Sequence, residues 1–277
     1  MMEKKYGIIG KPLSHSLSPT LHNFWFKKNS IKASYSLIET EKQLIKNIVN
    51  KIRTKELHGV NVTVPYKQEV IPYLDLIIND AKETSSVNTI YLNSENKIVG
   101  ENTDVYGFEK SFVSKLSNEN LLEKNFLILG AGGVTPSLIY ALKKRKIKKL
   151  FISNRTLQKA ENIKNKFPYV EIVLWEKISQ KFETMDVIIN ATSLGMKDGP
   201  DFDLSIKKFK SSLVYYDVVY NPFETTLLKN FKKSKIETFN GLEMFIFQGQ
   251  KSFSLWNNVI PDVNEELKKE IMSKLKK

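Results

Sequence analysis

Phe126-Leu127-Ile128-Leu129-Gly130-Ala131-Gly132-Gly133, with Leu138, Ile139 and Leu142 following at helical spacing, reads as strand, glycine turn and helix. Four consecutive apolar residues suit a strand buried on both faces, as in a parallel sheet. Gly130 lets the chain turn tightly. Gly132 lets backbone N–H groups and the helix N-terminus approach a pyrophosphate, and Ala131 and Gly133 complete the turn. Thr135 stands where the third glycine of such a fingerprint would fall. The turn alone is a weak signal, but between that strand and that helix it marks a dinucleotide site in an α/β protein.

Reading outward from the turn, the next strand, Lys149 to Ser153, ends in Asn154-Arg155-Thr156, with Lys159 close behind. A site for NAD carries an acid about 20 residues after the glycines to hold the ribose 2′-hydroxyl. Here there is no acid. Arg155 suits the adenine face and a 2′-phosphate, and Lys159 adds a second positive charge, so NADP(H) is the expected cofactor. Asn154 and Thr156 also suit the cap of the following helix, but capping does not explain Arg155 and Lys159. Farther on, Val187 to Asn190 runs into Ala191-Thr192-Ser193-Leu194-Gly195, and Val214 to Val218 into Val219-Tyr220-Asn221-Pro222. Ligands sit at such carboxyl ends, although either segment is also compatible with an ordinary turn.

Apolar runs of strand length also occur at Tyr6 to Ile9, Ser34 to Ile38, Gly59 to Val62, Thr89 to Leu92 and Glu171 to Leu174, separated by helical patterns. This is the signature of βα units. Ser18-Pro19 predicts a helix start with Ser18 as N-cap, and Leu21, Phe24 and Trp25 read as its core face. A helical stretch is expected from Val105 to Leu116. Two more, Leu242 to Trp256 and Asp262 to Leu275, form a tail expected to fold back on the first domain. The boundaries fall near residue 103 and near Asn240-Gly241, giving domains 1–103, completed by 241–277, and 104–240.

Composition excludes several functions. The chain of 277 residues has no Cys, so disulfides, thiolate chemistry and Cys-ligated metals are out. His15, His22 and His58 lack metal-ligand spacing, and no metal site is expected. No apolar run approaches a membrane span, and a soluble, cytoplasmic protein is expected. The net charge is +13, but only Arg53, Arg145 and Arg155 are Arg. The other forty cations are Lys, scattered in groups such as Lys27-Lys28 and Lys232-Lys233. Base readout relies on Arg forks and stacked aromatics, so this is read as a solvated surface that attracts small anions, not as a nucleic-acid footprint.

The chemistry is sought elsewhere. In a strand, Asn61 and Thr63 share one face while Val60, Val62 and Val64 face the core, and Pro65 ends the strand close to Lys67. Ser85-Ser86-Val87-Asn88-Thr89 and Glu101-Asn102-Thr103-Asp104 place further polar groups on short loops. A Lys and an Asp converging on one alcohol can handle its proton while hydride leaves the carbon.

Together, Ser14-His15-Ser16-Leu17-Ser18-Pro19, Asn61-Val62-Thr63-Val64-Pro65-Tyr66-Lys67, Val87-Asn88-Thr89, Asn102-Thr103-Asp104, Gly130 to Gly133, Asn154-Arg155-Thr156, Asn190-Ala191-Thr192-Ser193 and Gly241 through Gln248 resemble the shikimate dehydrogenase family, in its order and over residues 6 to 262. The resemblance implies two α/β domains flanking a cleft, an N-terminal substrate domain and a Rossmann-type NADP-binding domain. It also implies NADPH-dependent reduction of 3-dehydroshikimate to shikimate. Ser16 and Ser18, helped by Tyr216, would bind the substrate carboxylate; Asn61, Thr63, Asn88 and Gln248 would meet the ring hydroxyls or line the site. Lys67 and Asp104 would form the dyad at the reacting hydroxyl. Gly130, Ala131, Gly132, Gly133, Asn154, Arg155, Thr156, Lys159, Thr192 and Gly241 would hold the cofactor. Val134-Thr135-Pro136 departs from the family, which more often has small residues and then a basic one there. A monomer or homodimer is expected. The alternatives are a quinate/shikimate dehydrogenase paralogue, usually NAD-using, and a non-catalytic NADP-binding regulator.

Overall fold

A computed structural model describes residues 3–116, 121–197, 199–202 and 208–275. The chain divides into two compact units, Met1–Gly107 with Ile246–Lys277, and Phe108–Phe245. In chain order the elements up to the first crossing are β1 (Lys4–Gly10), α1 (Ser18–Lys28), β2 (Ala33–Glu39), α2 (Ile45–Arg53), β3 (Gly59–Val62), β4 (Leu76–Ile77), α3 (Asp80–Thr84), β5 (Thr89–Leu92), β6 (Ile98–Glu101) and α4 (Asp104–Ser111). Next come β7 (Asn125–Leu129), α5 (Thr135–Lys144), β8 (Lys149–Ser153), α6 (Leu157–Lys166), β9 (Val170–Ile172), α7 (Ile178–Lys181), β10 (Val187–Asn190), β11 (Val214–Asp217), α8 (Thr226–Lys233) and β12 (Glu237–Phe239). The tail is α9 (Leu242–Asn257) and α10 (Glu265–Leu275). The chain passes between units inside α4 and α9, a few residues beyond the loops where the sequence suggests boundaries.

The first unit holds a six-stranded sheet in the order β2-β1-β3-β5-β6-β4. β1 runs parallel to β2 and β3, and β4 to β6, whereas β5 is antiparallel to both β3 and β6. The reversal comes from a hairpin that the βα reading passes over. Asn93 Oδ1 accepts the N–H groups of Glu95 and Lys97, and Asn96 takes the left-handed conformation at φ 57°, both habits of Asn in tight turns. β4 and β6 are likewise additions to the sequence reading. On α2, Ile45, Ile48, Val49 and Ile52 recur on one face and are all buried against Val60, Val62 and Ile90 of the sheet. Each such side chain contributes about 1.5–3 kcal/mol.

In the second unit the sheet order is β12-β11-β10-β7-β8-β9, with every pair parallel. β7 meets β8 on one side and β10 on the other, so the strand order reverses between β7 and β10. At such a point the connections leave a crevice at the carboxyl ends of the strands. β10 reads Val-Ile-Ile-Asn and is buried throughout, as expected of a central strand covered on both faces.

Three local expectations are corrected. Leu17, not Ser18, is the N-cap of α1; Ser16 Oγ instead accepts from the Ser18 amide and lies 3.2 Å from Ser18 Oγ. Val64 is 58% exposed because the chain has left the sheet after Val62. The helix expected from Val105 to Leu116 stops at Ser111 and continues only as a short 3₁₀ turn over Val113–Lys115.

Candidate active site

The antiparallel β5 decides the site of the first unit. Asn61 of β3 lies opposite Thr89, the first residue of β5, and Thr89 lies opposite Glu101, the last of β6. Asn88, which precedes its strand, therefore shares a sheet end with Thr63 and Lys67, which follow β3, and with Asn102 to Asp104, which follow β6. The loop carrying Ser16 and Ser18 leaves the same end, where the Thr63 amide bonds the Ile9 carbonyl and the Lys11 amide bonds the Val64 carbonyl.

Lys67 and Asp104 are both nearly buried, at 9% and 5% exposure, and Lys67 Nζ lies 2.5 Å from Asp104 Oδ2. Asp104 Oδ1 accepts from Asn88 Nδ2 at 2.9 Å. Asp104 is also the first residue of α4, where helix amides favour negative charge. Asn102 Oδ1 caps that helix by accepting from the Asp104 and Val105 amides, while its Nδ2 donates to the Ser86 carbonyl and to Thr84 Oγ1. The carboxylate thus sits on an anchored backbone.

Behind the pair lies a buried polar network that the sequence reading did not contain. Asn88 Oδ1 accepts from the Thr103 amide and hydroxyl and from Thr89 Oγ1. Thr89 and Thr103 both approach Ser252 Oγ, at 2.8 and 3.2 Å. Asn61 Nδ2 donates to Ser252 Oγ, Thr89 Oγ1 and the Asn88 carbonyl, and Asn61 Oδ1 accepts from Tyr35 Oη. Asn61 is therefore committed to the network. Ser252 lies on α9, which also carries half-buried Gln248, whose carbonyl accepts from the Ser252 hydroxyl. The Asn before an acidic helix start signalled the Asn102 cap; nothing local to Ser252 could have linked it to residues 149 positions and more away.

The second unit carries the glycine turn. Gly130 adopts φ +109°, and a Cβ there would lie 2.8 Å from the Ala191 carbonyl, so only glycine fits. A Cβ on Gly132 would meet nothing within 4 Å, leaving open space where a phosphate can approach. Asn154 stitches this turn to the next helix: Oδ1 accepts the Ala131 amide and Nδ2 donates to the Thr156 carbonyl. Thr156 is the N-cap of α6 by backbone conformation, without a side-chain bond. Arg155 and Lys159 are exposed beside it and make no ion pair among the described residues. The Val134-Thr135-Pro136 departure has a local reason: Thr135 Oγ1 donates to the Gly130 carbonyl, and Pro136 occupies the first turn of α5. The open space at Gly132, the helix start and the two free-standing cations fit a phosphorylated dinucleotide.

Two expected contacts look different in the structure. Tyr216 is fully buried, packed on Phe108 and Phe112, with its hydroxyl 3.3 Å from Ser111 Oγ, and burial pushes its phenol up. Tyr220, just past the end of β11, is only half-buried and stacks on Phe245. Gly241 is packed so tightly that a Cβ would lie 2.0 Å from the Val218 carbonyl, which explains the glycine without a ligand.

Residues 8–90 match the shikimate dehydrogenase substrate binding domain, and residues 112–196 match the family described as shikimate / quinate 5-dehydrogenase. A curated relative from Pelagibacter ubique, shikimate dehydrogenase (NADP(+)), is 44% identical over 265 residues, 96% of this chain and 97% of the relative. The chain belongs to the shikimate dehydrogenase family. The crystal structure of the shikimate dehydrogenase from Aquifex aeolicus superposes with a TM-score of 0.86 at 36% identity, covering 98% of this chain and 99% of that one. That of the Thermus thermophilus shikimate 5-dehydrogenase in complex with NADP(H) and shikimate gives 0.84 at 26% identity, over 99% and 98%. In this member of the shikimate dehydrogenase family, the first match spans Ser16, Ser18, Asn61, Lys67 and Asn88, and the second spans the glycine turn, Arg155 and Thr192.

Proposed function

We propose that this chain catalyses the reversible reduction of 3-dehydroshikimate to shikimate with NADPH, the first unit taking the substrate and the second the cofactor. The observation that carries the reading is the nearly buried Lys67–Asp104 pair at the sheet end where Ser16, Ser18, Thr63 and Asn88 also emerge. Bound NADPH supplies the hydride. The protein's task is the proton: the Lys67 ammonium donates to the carbonyl oxygen as it becomes a hydroxyl, and the neutral amine takes the proton back in the reverse direction. Asp104 orients the ammonium and, held by Asn88, keeps one position while doing so. Ser16 and Ser18 offer hydroxyl donors suited to the substrate carboxylate.

Gly130, Gly132 and Gly133 with the start of α5 would hold the pyrophosphate, and Arg155 with Lys159 the 2′-phosphate. Thr192 would stand at the facing turn. We place the activity in the cytoplasm: among the described residues no helix is long and apolar enough to cross a membrane.

The test is initial-rate turnover of purified protein with shikimate and quinate, each offered with NADP⁺ and with NAD⁺. Turnover confined mainly to shikimate with NADP⁺ is expected. Preference for quinate or NAD⁺ would move the chain to the quinate/shikimate paralogues, and no turnover in any combination would leave a dinucleotide-binding regulator.

A further inference from the structure

Asp217 is the last residue of β11, and its register partner is Asn190, the last residue of β10. Both are fully buried. Asp217 makes no ion pair among the described residues, so its charge is carried by hydrogen bonds alone. Oδ1 accepts from the Val219 amide and Asn190 Nδ2, both at 3.0 Å; Oδ2 accepts from Tyr215 Oη at 3.0 Å and Thr225 Oγ1 at 2.7 Å. A buried carboxylate without a cation is costly, and even with four donors burial pushes this one up to about 6. Packing alone would be served by an apolar residue.

What the carboxylate holds is a relay. Asn190, oriented by Asp217, turns its Oδ1 to accept both the amide and the hydroxyl of Thr192, at 3.0 and 2.7 Å. The Thr192 hydroxyl in turn accepts the Leu194 amide at 3.0 Å. This turn packs directly on the glycine turn: a Cβ on Gly130 would meet the Ala191 carbonyl at 2.8 Å and Thr192 Cγ2 at 3.0 Å. These two turns are the walls of the crevice where the strand order reverses. With contact this close, a small shift of Thr192 moves one wall.

We infer that Asp217 is a positioning residue for the dinucleotide, acting through Asn190 to fix the Thr192 turn against Gly130. The inference rests on the cofactor reading proposed above. Asp217 acts without touching the dinucleotide itself. Its geometry also permits a conservative replacement: in Asp217→Asn the oxygen can still face Asn190 and Val219, while the amide donates to Thr225 and Tyr215, whose hydroxyls can reverse.

Two measurements on the full chain test it. Asp217→Ala is expected to weaken NADP⁺ binding about tenfold and to change kcat less, with Asp217→Asn within about threefold of the parent. Asn190→Ala is expected to match Asp217→Ala, and the double variant to be no weaker than about twofold beyond either single one, because both act through one relay. Without any ligand, amide exchange at Thr192 and Leu194 should rise about tenfold in Asp217→Ala while Ile152 in β8 stays protected. Unchanged exchange at Thr192 and Leu194 would overturn the inference, as would additive losses or failure of the Asn variant to restore binding. Absence of NADP⁺ binding by the parent would overturn the cofactor reading and the dinucleotide part of the inference, whereas exchange still decides whether Asp217 fixes the turn.

Discussion

Lys67 and Asp104 stand 37 residues apart in the chain and 2.5 Å apart in space, and Asp104's second oxygen is held by Asn88. The ammonium therefore has one carboxylate oxygen to itself, and the carboxylate cannot rotate away without breaking its bond to Asn88.

Lys67→Ala removes the proposed proton carrier. Turnover is expected to fall at least ~10²-fold, within the range of a positioned acid or base, with KM for shikimate changing much less. Steady-state kinetics in both directions check this, and near-normal kcat would take Lys67 out of the mechanism.

Asp104→Asn keeps the shape of the side chain but leaves the Lys67 ammonium nearly buried without its counter-charge. Loss of one partner of a buried pair costs about 3–5 kcal/mol, so denaturant unfolding should shift to a markedly lower midpoint and kcat should drop as well. A variant with parental midpoint and rate would show that the pair neither supports the fold nor orients Lys67.

Arg155 is exposed and bears on no core, so its removal should leave the unfolding midpoint unchanged. Arg155→Ala is expected to raise KM for NADPH by about tenfold, the scale of one charge-assisted contact to phosphate, and to leave NADH kinetics nearly unaltered. Equal effects on both cofactors would assign Arg155 to the shape of the α6 start instead.

His22 is fully buried and stacked on Tyr35 at 4.4 Å, and burial, only partly opposed by Asn61, pushes it from 6.5 down to about 3. The unfolded chain therefore binds a proton that the native chain refuses throughout that interval. Stability present near neutral pH should decline as pH falls below 6.5 and continue to decline toward 3, at up to about 1.4 kcal/mol per pH unit from this group. His22→Phe should flatten that part of the profile; an unchanged slope would mean that His22 titrates normally in the native state.

The sequence made the second unit more legible than the first. Its central strands β7 and β10 are largely apolar and buried, and helices follow β7 and β8, so buried parallel strands announce themselves, and Gly130 to Gly133 mark where the crevice lies. The first unit hides its site because β5 runs backwards: its antiparallel pairing with β3 brings Asn88 to the sheet end where Lys67 emerges, and the Asn93 hairpin returns β6 to deliver Asp104 there, and no polar motif announces either. Ser252 lay beyond reach altogether, because its partners come from strands far away in the chain.

Because Ser252 closes the network behind Asp104 from the tail segment, synthesis and assembly run out of step. The second unit is one uninterrupted stretch, Phe108–Phe245, available as a whole when it leaves the ribosome. The first unit begins earlier but waits for Ile246–Lys277, so the network behind the Lys67–Asp104 pair is completed only after the second unit. A nascent chain halted just before that segment would hold a complete second unit and, in the first, an apolar sheet still lacking its cover, the state most exposed to chaperone capture or aggregation.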